Sequence, residues 1–170
     1  VLALGISFIC SILEAVVLSV PHTHIAVLQK EGKKSGALWA RLKDDDAVKP
    51  LTAILTLNTI AHTMGAAGVG SQVQTIWGEE YLTGASIILT IAVLFFSEIV
   101  PKTLGAAYWK KLVPITGTIL QVLVKLLAFI IIPIQLLKSI LPEGDDTLVT
   151  RDDVAAIVDL GEEEGILEAD

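Results

Sequence analysis

A few polar side chains stand inside stretches that are otherwise apolar, and their spacing groups them. Ser7, Ser11 and Glu14 are at i, i+4 and i+7, so a helix would carry them on one face. Asn58 and His62 are at i and i+4. Ser97 and Glu98 are adjacent, followed closely by Pro101 and Lys102 in the stretch FFSEIVPK. Proline has no N–H, so in a helix Pro101 leaves the carbonyl of Ser97 without its usual partner. Hydroxyls, an amide oxygen, the freed backbone carbonyl of Ser97 and a carboxylate make a set of hard oxygen donors. Such a set suits Mg²⁺ or Ca²⁺ and not a soft metal. Blander readings exist for each residue. Serine in an apolar helix bonds back to its own helix carbonyl, asparagine glues helices together, Glu98 can pair with Lys102 at i+4, and Pro101 can simply end a helix. The grouping on three separate apolar segments speaks for a joint role.

The segments that must position these residues are long. Mean hydropathy is +0.70 and 53% of residues are hydrophobic, too apolar for a soluble domain of 170 residues. Residues 1–20, 51–76 and 81–100 each cover a ~30 Å hydrocarbon core at ~1.5 Å per residue. Their only formal charges are Glu14 and Glu98, with a titratable His62 in the second. Ionisable groups at that depth are functional candidates by default. The opening VLALGISF has no basic region and no small-residue cleavage site, and reads as a mature or trimmed span, not a signal peptide. Cys10 is the single cysteine, so there is no disulfide framework.

Charge orients the spans. Residues 21–49 hold six Lys/Arg, and Lys102, Lys110 and Lys111 follow the third span, while Trp77–Glu80 holds two acids and no base. The positive-inside rule then places the N-terminus outside and residues 21–49 and 101–111 in the cytoplasm. Trp39, Trp77, Tyr81, Tyr108 and Trp109 are expected at interfaces. The basic stretch Lys30–Lys43 is expected against lipid headgroups. His22 and His24 read as solvated and not as a metal pair.

A fourth apolar block, residues 112–137, is ambiguous. Lys125 at its middle costs about 2.5–3.5 kcal/mol in a span, and Pro114 and Pro133 interrupt its ends. It either crosses the bilayer, which hydropathy slightly favours, or lies along the cytoplasmic interface with Lys125 snorkelling. Ala61, Gly65, Gly68 and their small neighbours let helices approach closely, either within one protomer or across a dimer. Residues 143–170 hold eleven acids and one base. They read as a soluble helix capped at Thr150, with Asp152 and Asp153 in its first turn and crowded charges at Glu162, Glu163 and Glu164.

SILEAVVLS (11–19), the Asn58 region, SEIVPK (97–102) and TRDDVAAIVDLGEEEGIL (150–167) together resemble the transmembrane domain of the CorB/CorC magnesium transporters and the cyclin M (CNNM) proteins. Ser97 stands where that family's G-E-x-x-P-K pattern has glycine. The resemblance implies an all-α membrane protein. Three transmembrane helices and a juxtamembrane belt helix over about 112–137 form a domain of residues 1–142. An acidic cytoplasmic helix, 143–170, follows. It implies a multi-pass homodimer in the cell membrane, joined through transmembrane and acidic helices, with no nucleic acid as partner. It implies transport of a dehydrated Mg²⁺ held by Ser7, Ser11, Asn58, Ser97 and Glu98, with Pro101, Lys102, Glu14 and Gly65 in structural or gating roles. Export coupled to Na⁺ is expected on the same ground, and Mg-ATP only in paired CBS domains that this chain lacks. The contrasting reading is a membrane-anchored divalent-cation sensor that moves no ion. No aspartate pair, HExxH motif or serine–lysine dyad lies at membrane depth, so an enzyme is not expected.

Overall fold

A computed structural model describes residues 2–138, and the acidic segment with its capped helix lies outside the described residues. Among the described residues the chain is helical, without strands. Helix α1 is Leu2–Ser19, α2 His22–Lys30 and α3 Lys34–Leu42. A 3₁₀ turn at Asp44–Ala47 leads into α4, Val48–Trp77. A second 3₁₀ turn, Glu79–Tyr81, leads to α5, Leu82–Ala92. Helix α5 passes without interruption through a π-helical segment, Val93–Ile99, into α6, Val100–Leu126. Helix α7 is Ala128–Lys138, and only its end belongs to a second unit that begins at residue 134.

Pro101 and Pro114 do not break this run. Pro101 falls at the junction where the π segment passes into α6. Where the sequence suggested a separate helix from about residue 112, α6 continues to Leu126, and the turn at Leu127 separates it from α7.

Helix α1 packs between α4 and the π-helix–α6 run. Leu4 and Ser97 meet at one end, and Ala15 and Gly105 further along, so α1 and α6 run parallel. Ala3 meets Gly65 while Glu14 and Val48 line one cleft, so α4 runs antiparallel to both. Close approach is built into the sequence. A Cβ at Gly65 would stand 2.7 Å from the Cβ of Ala3, and one at Gly105 2.8 Å from the Cβ of Ala15. Gly65 therefore serves packing inside one protomer, whereas Gly68 and Gly70 meet nothing within 4 Å.

The buried core lies toward the C-terminal end of α1. The α2–α3 hairpin packs on α6 through α3, and its Ile25, Leu28, Trp39 and Leu42 share one buried cluster with Val16, Val17, Val20, Val113 and Leu120. Trp39 is fully buried, and its Nε1 donates to the carbonyl of Val113 at 2.7 Å. Gly117 leaves the room for that indole. A buried indole N–H needs such a partner. Away from this core the helices turn apolar side chains outward. No residue of α5 is buried, and Ile88, Ile91, Leu94 and Phe96 are more than half exposed. Exposed apolar surface on this scale calls for an apolar medium or a partner.

Two helical stretches are long and apolar enough to cross a membrane, Leu2–Ser19 and the run Glu79–Leu126. Helix α4 has the length, at 30 residues. Its Asn58, His62, threonines and glycines dilute its hydropathy, and it is not among the two.

Candidate metal site and its ion-pair network

The polar residues of α1, α4 and the π segment converge on Glu98. Ser11 Oγ donates to Glu98 Oε2 at 3.2 Å, and Asn58 Nδ2 donates to Oε1 at 3.2 Å. His62 Nε2 lies 3.6 Å from the same Oε1 and is hydrogen-bonded to Ser7 Oγ at 2.6 Å. Lys102 Nζ lies 3.2 Å from Glu98 Oε2. It also reaches Glu14, at 3.1 Å from Oε2 and 3.2 Å from Oε1.

Local structure explains how each side chain gets there. On α1, the i, i+4 spacing sets Ser7 and Ser11 on the face buried against α4, both at 0% exposure. Other hydroxyls behave in the blander way: Thr75, Ser86, Thr90, Thr103, Thr116 and Thr118 all donate to the carbonyl four residues back. Ser7 and Ser11 instead reach across to another helix. On α4, the same spacing puts Asn58 and His62 one turn apart. In the third segment the i→i+5 pattern widens the helix, with the Val100 N–H bonded to the carbonyl of Phe95. Short π segments occur at functional sites. Here the extra residue per turn lets Ser97 point inward, 1% exposed, while Glu98 still faces the Ser11–Asn58 cleft. Pro101 brings no N–H to this stretch.

One polar atom is left over. Asn58 Oδ1 is buried and has no hydrogen-bond partner. A buried acceptor left unsatisfied costs about 1–3 kcal/mol. The amide orientation follows from Glu98, since a carboxylate accepts only and takes the Nδ2 side. Oδ1 is then a neutral oxygen free to act as a ligand, on the amide whose Nδ2 donates to the Glu98 carboxylate. Among the described residues no three His, Cys, Asp or Glu side chains gather as a metal cluster. Any metal held here would be held mainly by neutral oxygens and one carboxylate, which is the donor set of a hard cation.

The arrangement unites most of the residues expected from sequence. Ser7, Ser11, Asn58 and Glu98 lie in one network, and Glu14 and Lys102 join it as an ion pair. Ser97 is adjacent but sends its hydroxyl to the carbonyl of Leu4, at 3.4 Å, and not to Glu98. His62 was not placed in the expected ligand set. Its spacing from Asn58 was the signal that it shares the same face. A cleft of about 420 Å³ lined by Glu14, Val48, Thr52, Leu55 and Asn58 opens beside the network. On the other side Ala3, Leu4, His62, Gly65 and Val93 line a smaller pocket of about 90 Å³.

The sequence matches the model of the cyclin M transmembrane N-terminal domain over residues 1–170. The chain belongs to this family. The cyclin M domain is thus a membrane domain, in agreement with its outward-facing apolar helices. It is also similar to the UPF0053 protein sll1254 of Synechocystis sp., with 26% identity over 169 residues, 96% of this chain. The chain spans about half that relative's length, 47%.

Proposed function

We propose that this cyclin M domain carries Mg²⁺ across the cell membrane, with the ion passing through the Glu98 site. The observation that carries the reading is the buried, unpartnered Asn58 Oδ1, on a side chain that converges with Ser11 on the Glu98 carboxylate. A largely dehydrated Mg²⁺ takes near-octahedral oxygens at about 2.1 Å. Glu98 supplies the full negative charge, and Asn58, Ser11, Ser7 and a backbone carbonyl near Phe96–Ser97 supply neutral oxygens. The chain's own groups perform three tasks. Ser11 and Asn58 orient the carboxylate, the apolar surroundings exclude water, and the cleft at Glu14 gives access from one side.

Three crossings agree with the helix directions: α1 and the α5–α6 run parallel, α4 antiparallel. The basic residues of α2, α3 and the start of α6 then share the cytoplasmic side, with Trp77–Glu80 outside. In this reading α6 leaves the bilayer after its first turns and continues with α7 as the belt along the interface. The run Glu79–Leu126 is 48 residues, or about 72 Å as a helix, far longer than one crossing needs. Assembly as a homodimer, export coupled to Na⁺, and a regulatory role for the acidic segment 143–170 complete the reading.

The test is Mg²⁺ flux in proteoliposomes. Glu98→Gln keeps the shape and one oxygen but removes the charge, and should abolish flux in a protein that still elutes as the wild type does. A membrane-anchored sensor would show no flux in the wild type. Wild-type flux from folded Glu98→Gln protein refutes the site.

A further inference from the structure

The ammonium of Lys102 is shared between carboxylates of two different helices. It lies 3.2 Å from Glu98 Oε2 and 3.1 Å from Glu14 Oε2. Both carboxylate oxygens of Glu98 have polar or ionic neighbours. Oε2 faces Ser11 and Lys102, and Oε1 faces Asn58 and His62. An ammonium on a carboxylate oxygen opposes a divalent cation at the same oxygen, because the two positive charges repel at close range. Lysine is a compact charge on a flexible four-carbon stem, and Glu14 already offers Lys102 both of its oxygens. Lys102 can therefore leave Glu98 by a small swing without ever being unpaired.

We infer that Lys102 is a tethered cation that occupies Glu98 when no metal is bound and passes wholly to Glu14 when a divalent cation arrives. Glu14 then sets the affinity of a site whose metal it does not touch. The inference rests on the Glu98 reading above and adds the device by which the Glu98 carboxylate keeps a counter-charge nearby while the site is empty. An unpaired carboxylate there would be strongly unfavourable. Lys102 and Glu14 are positioning residues in this scheme, since neither contacts the ion.

A double-mutant cycle tests it, read as the Glu98-dependent part of Mg²⁺ binding to the full-length protein in nanodiscs. That part is the difference from Glu98→Gln protein. Glu14→Gln should weaken Kd by about tenfold, because Lys102 keeps Glu98 as its only anion. Lys102→Met should tighten Kd by a similar factor. On the Lys102→Met background Glu14→Gln should have no further effect, whereas Lys102→Arg should preserve the sensitivity to Glu14. Should Lys102→Met alone fail to fold with two unpaired carboxylates, Glu14→Gln/Lys102→Gln removes both charges together, and its Kd should recover from the Glu14→Gln value. A Glu14→Gln effect of equal size with and without Lys102 overturns the inference, because Glu14 would then act on the metal directly. An unchanged Kd in Lys102→Met overturns it too. A wild-type Mg²⁺ signal in Glu98→Gln protein overturns the site itself, and the inference with it. The other two outcomes leave the site standing.

Discussion

Replacing Gly105 by alanine should damage the ion site without touching any residue in it. Gly105 lies one turn past Lys102 and packs on α1 just beyond Ser11 and Glu14. A Cβ there would stand 2.8 Å from the Cβ of Ala15, 2.9 Å from the carbonyl oxygen of Ile12 and 3.3 Å from its Cα. Carbon atoms rest at about 3.5–4.0 Å, so α1 and α6 must part by roughly 0.7–1.2 Å. The Ser11–Glu98 hydrogen bond starts at 3.2 Å and would open to about 4 Å, which is no longer a hydrogen bond. Overpacking costs about 1–3 kcal/mol, and the better helix propensity of alanine returns up to ~1 kcal/mol. The net loss of stability is about 0–2 kcal/mol, small beside the effect on the site. A Ser11 oxygen moved by that much is out of place as a ligand beside Glu98, and Mg²⁺ affinity should fall about tenfold or more. The assay is Mg²⁺ titration beside thermal unfolding in the same detergent. Gly117→Ala is the control. Its Cβ would stand 2.8 Å from Trp39 Nε1, but about 28 Å along the helix from Glu98. It should lower the unfolding temperature and leave Kd unchanged. Wild-type Kd and unfolding temperature in Gly105→Ala protein would refute the claim that helix approach sets the site.

Asn58→Leu removes the buried, unsatisfied Oδ1 together with the Nδ2 bond to Glu98, so the two changes partly cancel. Stability without Mg²⁺ should shift by less than about 1 kcal/mol, while Glu98-dependent Mg²⁺ binding falls at least tenfold. A variant that binds normally would remove Asn58 from the ligand set. Orientation is open to cysteine labelling, since native Cys10 is buried and should stay silent. A cysteine at Gly78 should react with an impermeant reagent from outside and one at Lys33 only after the membrane is opened; equal labelling of both from outside would overturn the three-crossing arrangement.

The local part of this protein was readable from its residues alone. An apolar stretch of about twenty residues makes a helix in an apolar medium because its backbone must bond within itself, and α1 and α4 fall within a few residues of where the pattern put them. Spacing of four places Ser7 with Ser11 and Asn58 with His62, because the helical period is local. A carboxylate and a proline at the end of an apolar run marked the third segment for the same reason: both are costly there and need a partner. Tertiary structure decided which faces meet. Only packing chose that Gly65 rests on Ala3, that Trp39 is buried in the core, and that Lys102 bridges two helices and does not simply pair with Glu98 on its own. The π segment was equally hidden, since α and π turns use the same residues and differ by one step in hydrogen bonding. These outcomes depend on distances between chain-distant atoms, which a sequence period of 3.6 residues does not encode. The orphaned Oδ1 of Asn58, on which the functional reading turns, exists only because three helices close around it.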